Sequence, residues 1–188
     1  MSDEILGFIG LGNMGQPMAR NIREKGHEMI VHDIAGTAER TPQGAEVAGS
    51  NRDIAQRAGI IALSLPTVEV NRQVVNEIAE TGRAGSVVVD TCTIGARAAA
   101  GNARILEAAG IDYLDSPVSG LKFRAEEGTL ASMTAGANAA VERARAAGVG
   151  RMLTIGSGYG FDSAERAVTV AGRHDGIYTC SPSIVAGR

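Results

Sequence analysis

The sequence predicts an α/β fold, a doubly wound and mostly parallel sheet with flanking helices, on three observations. An apolar run ends in a glycine-rich turn, Gly10-Leu11-Gly12-Asn13-Met14-Gly15, that opens a helix. A second apolar run follows and ends on an acid, Asp33. Short apolar runs then alternate with alanine-rich helical stretches to about residue 155, the rhythm that parallel strands with crossover helices require.

Each element has a local reason. Ile5-Leu6-Gly7-Phe8-Ile9 is the first strand. Met14, Met18 and Ile22 recur every four residues on one helical face, Pro17 sits in a first turn that tolerates it, and Lys25-Gly26 is a stop. Met29-Ile30-Val31-His32 is a buried strand. Ile60 to Leu65 is another, halted by Pro66, and Val70, Val74 and Ile78 line the helix after it. Val87-Val88-Val89-Asp90 is the next strand, and Ala96 to Ala109 is helical with Ile105 and Leu106 inward. Ile111 to Asp115 and a run around Leu130 to Thr134 are further strands, Ala137 to Ala147 is a helix, and Met152 to Ile155 is the last strand. The tail is glycine-rich and polar, with one short helical candidate at 163–170. The expected division is one domain over 1–156 and an irregular or partly helical tail over 157–188.

The glycine turn carries chemistry as well as geometry. Gly10 makes the tight turn, Gly12 leaves room for a pyrophosphate to approach backbone, and Gly15 lets the helix lie close. Unpaired N–H groups and the positive end of the helix dipole then face the phosphates, so the anion site is mostly backbone. Asp33 lies 18 residues past Gly15, near the spacing at which an acid meets the adenosine ribose. Two ribose hydroxyls can donate to it, whereas a 2′-phosphate is repelled and Ile34 brings no cation. NAD is therefore expected over NADP, with Arg40 weakening the preference if it folds back. The structural alternative is a βαβ unit whose glycines only turn the chain.

Composition narrows the class. One domain suits 188 residues, and a formal charge of −3 offers no basic face for nucleic acid. Cys92 and Cys180 show neither metal nor disulfide spacing, and His27, His32 and His174 are too scattered for zinc. No signal-peptide start and no membrane-length apolar run is present, so the expectation is a cytoplasmic protein.

Polar clusters fall just past strand ends: Pro66-Thr67, Thr91-Cys92-Thr93 and Asp115-Ser116-Pro117-Val118-Ser119-Gly120. In an open parallel sheet that is where ligands bind. The plain alternative is that Thr91 and Thr93 cap the next helix and that Asp115-Ser116-Pro117 is turn chemistry. Cys92 has the type of a nucleophile but no paired base in the sequence, which favours a core or cap role.

Together the motifs form a pattern. Gly7 to Asn21 followed by Gly26-His27 closely resembles the N-terminal signature of the β-hydroxyacid dehydrogenase family, typified by 3-hydroxyisobutyrate dehydrogenase and tartronate semialdehyde reductase. Leu65-Pro66 matches its strand-end Leu-Pro, and Asp90-Thr91-Cys92-Thr93-Ile94 resembles its Asp-x-Ser-Thr-Ile. Asp115 to Gly120 with Gly128-Thr129-Leu130 resembles its substrate signature. The resemblance covers roughly residues 4 to 156.

The resemblance implies a Rossmann domain holding a nicotinamide cofactor. Gly10, Leu11, Gly12, Asn13, Met14 and Gly15 would lie at the pyrophosphate, Asp33 at the ribose, Leu65 and Pro66 along the dinucleotide, and Thr93 near the nicotinamide. Thr93, Ser119 and Gly120 would meet a small hydroxyacid or semialdehyde, the last two at its carboxylate. The implied reaction is reversible hydride transfer between cofactor and a short β-hydroxyacid. A homo-oligomer is also admitted; nucleic acid and membrane are not expected partners.

Three departures accompany the resemblance. Leu121 and Arg124 stand where the family's substrate motif has glycines. The family's acid/base lysine follows a Gly-x-Gly turn, yet this chain has only Lys25 and Lys122; the candidates for its role are Lys122, inside the substrate loop, and Arg166, the nearest cation to that place, although a guanidinium is a poor base. The family's all-helical C-terminal domain is not visible. Two readings follow: an oxidoreductase of this type, or a dinucleotide-binding module with little or no turnover.

Overall fold

The computed structural model describes residues 4–148 in full, and beyond them the backbone of residues 151–157, 173–174 and 177–178. The helix expected at 163–170, Arg166 and Cys180 lie outside the described residues.

Strand β1 (Leu6–Ile9) leads into α1 (Gly15–Glu24) and β2 (Met29–His32), and a single 3₁₀ turn (Ala38–Arg40) precedes the short β3 (Glu46–Val47). The alternation continues through α2 (Asn51–Arg57), β4 (Ile60–Leu63), α3 (Val68–Thr81), β5 (Val87–Asp90), α4 (Ala96–Ala108) and β6 (Asp112–Asp115). Next come β7 (Val118–Ser119), α5 (Leu121–Glu127), β8 (Ala131–Gly136), α6 (Asn138–Ala146) and β9 (Arg151–Ser157). A small antiparallel pair joins β10 (Arg173–His174) to β11 (Ile177–Tyr178).

The main sheet runs β3-β2-β1-β4-β5-β6, every one of these pairings parallel. That is the doubly wound order of a Rossmann fold, whose direction of winding reverses between β1 and β4. Period-two alternation explains how the strands serve two faces. Leu6 and Phe8 of β1, Val31 of β2 and Val87 and Val89 of β5 pack with Ala19 and Ile22 of α1 and Ala140, Val141 and Ala144 of α6. Ile9, Ile30, Ile61, Leu63 and Val88 point the other way, onto α2, α3 and α4. Strands covered on both faces must be apolar throughout, which is why β1, β4 and β5 read as unbroken runs.

The sheet stops being parallel at β8, which pairs antiparallel with β6 at Asp115↔Ala135 and with β7 at Val118↔Ser132; β9 then pairs parallel to β8. The seven-residue α5 allows this reversal, ending at Gly128 in the left-handed conformation. Asn21 of α1 holds its far end by donating to the carbonyl of Ala125 at 2.6 Å.

Candidate functional site

The chain leaves β1 and β4 side by side, and the crevice opens between the two departures. Gly10 turns out of β1 at φ +94°, its N–H donating to the His32 carbonyl at 2.9 Å. A Cβ there would collide with the carbonyl oxygen of Ser64, the residue that follows β4, so the turn demands glycine for conformation and for space. A Cβ on Gly15 would strike the Gly10 carbonyl oxygen. Gly15 therefore lets α1 close onto the loop and onto Ser64 just past the end of β4. Gly12 differs: a Cβ on it would meet nothing within 4 Å, because its Cα faces the open crevice.

That crevice is a cleft of about 500 Å³ lined by Gly10, Gly12, Asn13 and Met14 of the loop, by Asp33, Ile34 and Arg40 after β2, and by Leu65 and Pro66 after β4. Leu11 is buried beneath it. Seven of the residues expected at a cofactor, Gly10, Gly12, Asn13, Met14, Asp33, Leu65 and Pro66, thus share one surface.

Asp33 is built into the loop. Its Oδ2 accepts the Leu11 N–H at 2.6 Å and its Oδ1 accepts the Ala35 N–H at 2.7 Å. The backbone of Asp33 is held by Thr37, whose hydroxyl accepts the Asp33 N–H at 2.8 Å and donates to its carbonyl at 2.9 Å. Arg40 does fold back, placing Nη1 3.5 Å from Oδ1.

The Leu65-Pro66 rim is positioned from below. The Leu65 N–H donates to the Cys92 sulfur at 3.1 Å, and the Thr91 hydroxyl donates to the Leu63 carbonyl at 2.6 Å. Both partners follow β5, which ends in the fully buried Asp90. Asp90 accepts from Asn71 and Tyr113, each at 2.8 Å, and from the Cys92 N–H at 3.1 Å. Burial, reinforced by the charge of Asp90, pushes the Cys92 thiol and the Tyr113 phenol up in pKa. Cys92 is thus a neutral acceptor holding the rim, not an activated nucleophile. Thr91 does not cap α4, whose N-cap position is Gly95 and which has no side-chain cap.

The second set of expected residues lies outside this cleft. Thr93 is exposed after β5, and Ser119 is exposed on β7 beside Gly120 at φ +139°. Leu121 adopts φ +61°, a region that favours glycine, and its side chain is 75% exposed, so it does not fill the crevice. The stem of Arg124 packs over Gly120, where a Cβ would lie 2.5 Å from its Cδ. Lys122 Nζ is 3.4 Å from Glu126 Oε1, an exposed pair on α5. Below this strand Ser116 contacts Ser132 at 2.5 Å and Thr134 at 2.7 Å, forming a buried hydroxyl cluster. Among the described residues no group of His, Cys, Asp or Glu is placed to hold a metal ion, and no helix is long and apolar enough to cross a membrane.

Comparison with known proteins bears on this arrangement directly. Residues 5–151 match the family model described as the NAD binding domain of 6-phosphogluconate dehydrogenase. The chain belongs to this family. Within the NAD-binding domain family it is 36% identical over 143 residues to 2-(hydroxymethyl)glutarate dehydrogenase of Eubacterium barkeri, an alignment covering 73% of this chain and 48% of that protein. It is also 36% identical over 137 residues to human mitochondrial 3-hydroxyisobutyrate dehydrogenase, covering 70% of this chain and 40% of the relative. A solved structure of Mycobacterium tuberculosis 3-hydroxyisobutyrate dehydrogenase with L-serine superposes with a TM-score of 0.72 at 31% identity, over 78% of this chain and 51% of that one. The chain therefore spans less than half the length of these two curated relatives.

For this NAD-binding domain, sequence reasoning missed the residues that hold the cleft in shape. Asn71, Asn102 and Tyr113 read as helix and strand positions, yet Asn102 donates to Asn71 at 2.6 Å and Asn71 and Tyr113 both donate to Asp90. The available signal was an acid closing an otherwise apolar strand, since a buried carboxylate must find donors.

Proposed function

We propose that this chain is the nucleotide-binding part of an NAD(P)-dependent oxidoreductase of the β-hydroxyacid dehydrogenase type, with residues 1–156 as the binding domain and 157–188 as its tail. One observation carries the reading: the glycine loop, Asp33 and Leu65-Pro66 line a single cleft at the point where the sheet reverses its winding. The cleft fits the group it would hold. Space over Gly12 is free for a pyrophosphate, and the loop that leads into α1 lines it through Gly12, Asn13 and Met14.

In this reading Gly10, Leu11, Gly12, Asn13, Met14 and Gly15 form the phosphate-facing loop and Asp33 faces the adenosine ribose through Oδ1. Leu65 and Pro66 line the dinucleotide's path, and the strand ends at Thr93, Ser119 and Gly120 receive the substrate and its carboxylate. NAD is preferred because the Asp33 carboxylate accepts hydroxyls and repels a phosphate. When bound, the nicotinamide takes up or returns a hydride; the chain's own residues orient the partners and exclude water. The substrate class is a short β-hydroxyacid or its semialdehyde, the type named for the relatives.

A second reading, a dinucleotide-binding module with little or no turnover, is favoured by one observation. Lys122, one of the two cations considered for the role of the family lysine, is exposed and paired to Glu126 on α5, outside the cleft. A cofactor titration coupled to a screen of 3-hydroxyisobutyrate, D-glycerate and 2-(hydroxymethyl)glutarate separates the readings. Binding with turnover supports the enzyme, binding alone supports the module, and no binding overturns both.

A further inference from the structure

We infer that Arg124 is a substrate-binding residue of this chain, its guanidinium pairing with the carboxylate of the hydroxyacid beside Ser119 and Gly120. The inference rests on the reading of the chain as a hydroxyacid-binding domain whose carboxylate place lies at those two residues. Gly120 stands between β7 and α5 at φ +139°, and a Cβ on it would lie 2.5 Å from the Arg124 Cδ and 3.0 Å from the Arg124 Cβ. The space that a side chain at 120 would need is therefore taken by the stem of the arginine. Nε is bonded to that same Cδ, so the guanidinium begins one bond beyond the carbon that lies against Gly120, next to the exposed Ser119.

Other contacts hold the arginine in this place. Its guanidinium carbon lies over the Phe123 ring, 5.7 Å from the ring centre. Its carbonyl accepts the Thr129 N–H at 2.9 Å, and Asn21 donates to the carbonyl of the next residue, Ala125. The neighbouring charges leave the guanidinium open to a ligand. Lys122 pairs with Glu126, and Glu127 accepts the Thr129 hydroxyl at 3.3 Å, whereas Arg124 makes no ion pair with a described residue. A stem already packed loses less freedom when an anion arrives, and the planar fork of a guanidinium matches the two oxygens of a carboxylate. A neutral ester in the same place forgoes the charge-assisted part of that contact. A glycine at 124 would uncover Gly120 and leave the anion to backbone and to the Ser119 hydroxyl alone.

The test titrates 3-hydroxyisobutyrate and its methyl ester by calorimetry into the NAD-saturated 188-residue protein and into Arg124→Gln, Arg124→Lys and Arg124→Gly, each first shown to melt cooperatively. A charge-assisted contact of this kind is worth about tenfold or more in affinity. The wild type should prefer the acid to the ester by at least about tenfold. Arg124→Gln and Arg124→Gly should each lose about tenfold for the acid while the ester changes less than about threefold, with Arg124→Lys between, and added salt should weaken binding of the acid alone. NAD affinity should stay within about twofold throughout, because α5 contributes no residue to the cofactor cleft. Acid binding that is indifferent to Arg124→Gln, tighter in Arg124→Gly, or lost in step with the ester would overturn the inference and leave the cofactor reading intact. So would a wild type that binds NAD but neither compound. Failure of the wild type to bind NAD would overturn the cleft reading, and the inference with it.

Discussion

Replacing Gly10 by alanine should unfold the protein more readily than replacing Gly12, although both belong to one short motif. Gly10 sits at φ +94°, and its new Cβ would collide with the Ser64 carbonyl oxygen and lie 2.9 Å from that carbonyl's carbon. The backbone conformation alone costs an L-residue about 1–2 kcal/mol. Overpacking against a backbone atom that cannot rotate away adds about 1–3 kcal/mol. A total of about 2–5 kcal/mol corresponds to a fall in melting temperature of about 10 °C for a chain of this size. Gly12 has no atom within 4 Å of the same position, so Gly12→Ala should stay within about 0.5 kcal/mol of wild type. Thermal unfolding followed by circular dichroism in cofactor-free buffer measures both. Equal losses in the two variants, or a Gly10→Ala melting point within about 2 °C of wild type, would refute the division of labour drawn between the two glycines.

Other outcomes follow from the buried polar groups and from α5. Burial, with a further push from the charge of Asp90, raises Asp115 from its ordinary 3.8 to about 6. The folded chain then binds this proton more tightly than the unfolded chain, so the group's contribution to stability should fall as pH rises from about 4 to about 6 and level off above. The fall should be about 2–3 kcal/mol in urea titrations and should vanish in Asp115→Asn. Asp90→Ala should cost about 3 kcal/mol or more, because Asn71 and Tyr113 lose their acceptor inside the core, whereas Tyr113→Phe should cost about 1 kcal/mol; denaturant midpoints decide. If the chain turns over a β-hydroxyacid, Lys122→Ala should leave the rate within about twofold, since an exposed, ion-paired lysine outside the cleft is poorly placed as acid or base. A loss of about a hundredfold would give Lys122 the role its position argues against.

The sequence made the parallel half of the fold legible because strands buried on both faces must be apolar throughout and helices must repeat near every fourth residue. Leu6 to Ile9, Ile60 to Leu63 and Val87 to Asp90 have no other reading. The glycine loop and Asp33 were legible for a different reason, since a pyrophosphate site needs small residues at fixed offsets from a strand end. What escaped was short or nonlocal. Helices α2 and α5 have seven residues each, too few for periodicity, although Ser50 and Asp53 form a cap that marks the start of α2. The antiparallel turn of β8 depends on the reversal across α5, and the hydrogen bond from Leu11 to Asp33 joins residues that only the fold brings together.

Calorimetric titration of NAD into the 188-residue protein and into Gly12→Val is the most direct test of the cleft as a dinucleotide site. Gly12 faces open space, so valine there should leave the melting temperature unchanged while filling the volume that the pyrophosphate needs. The expected result is saturable binding of one NAD per chain by the wild type and loss of at least about tenfold in affinity in the folded variant. A wild type that shows no binding, or a folded Gly12→Val that binds NAD as tightly as wild type, would contradict the account.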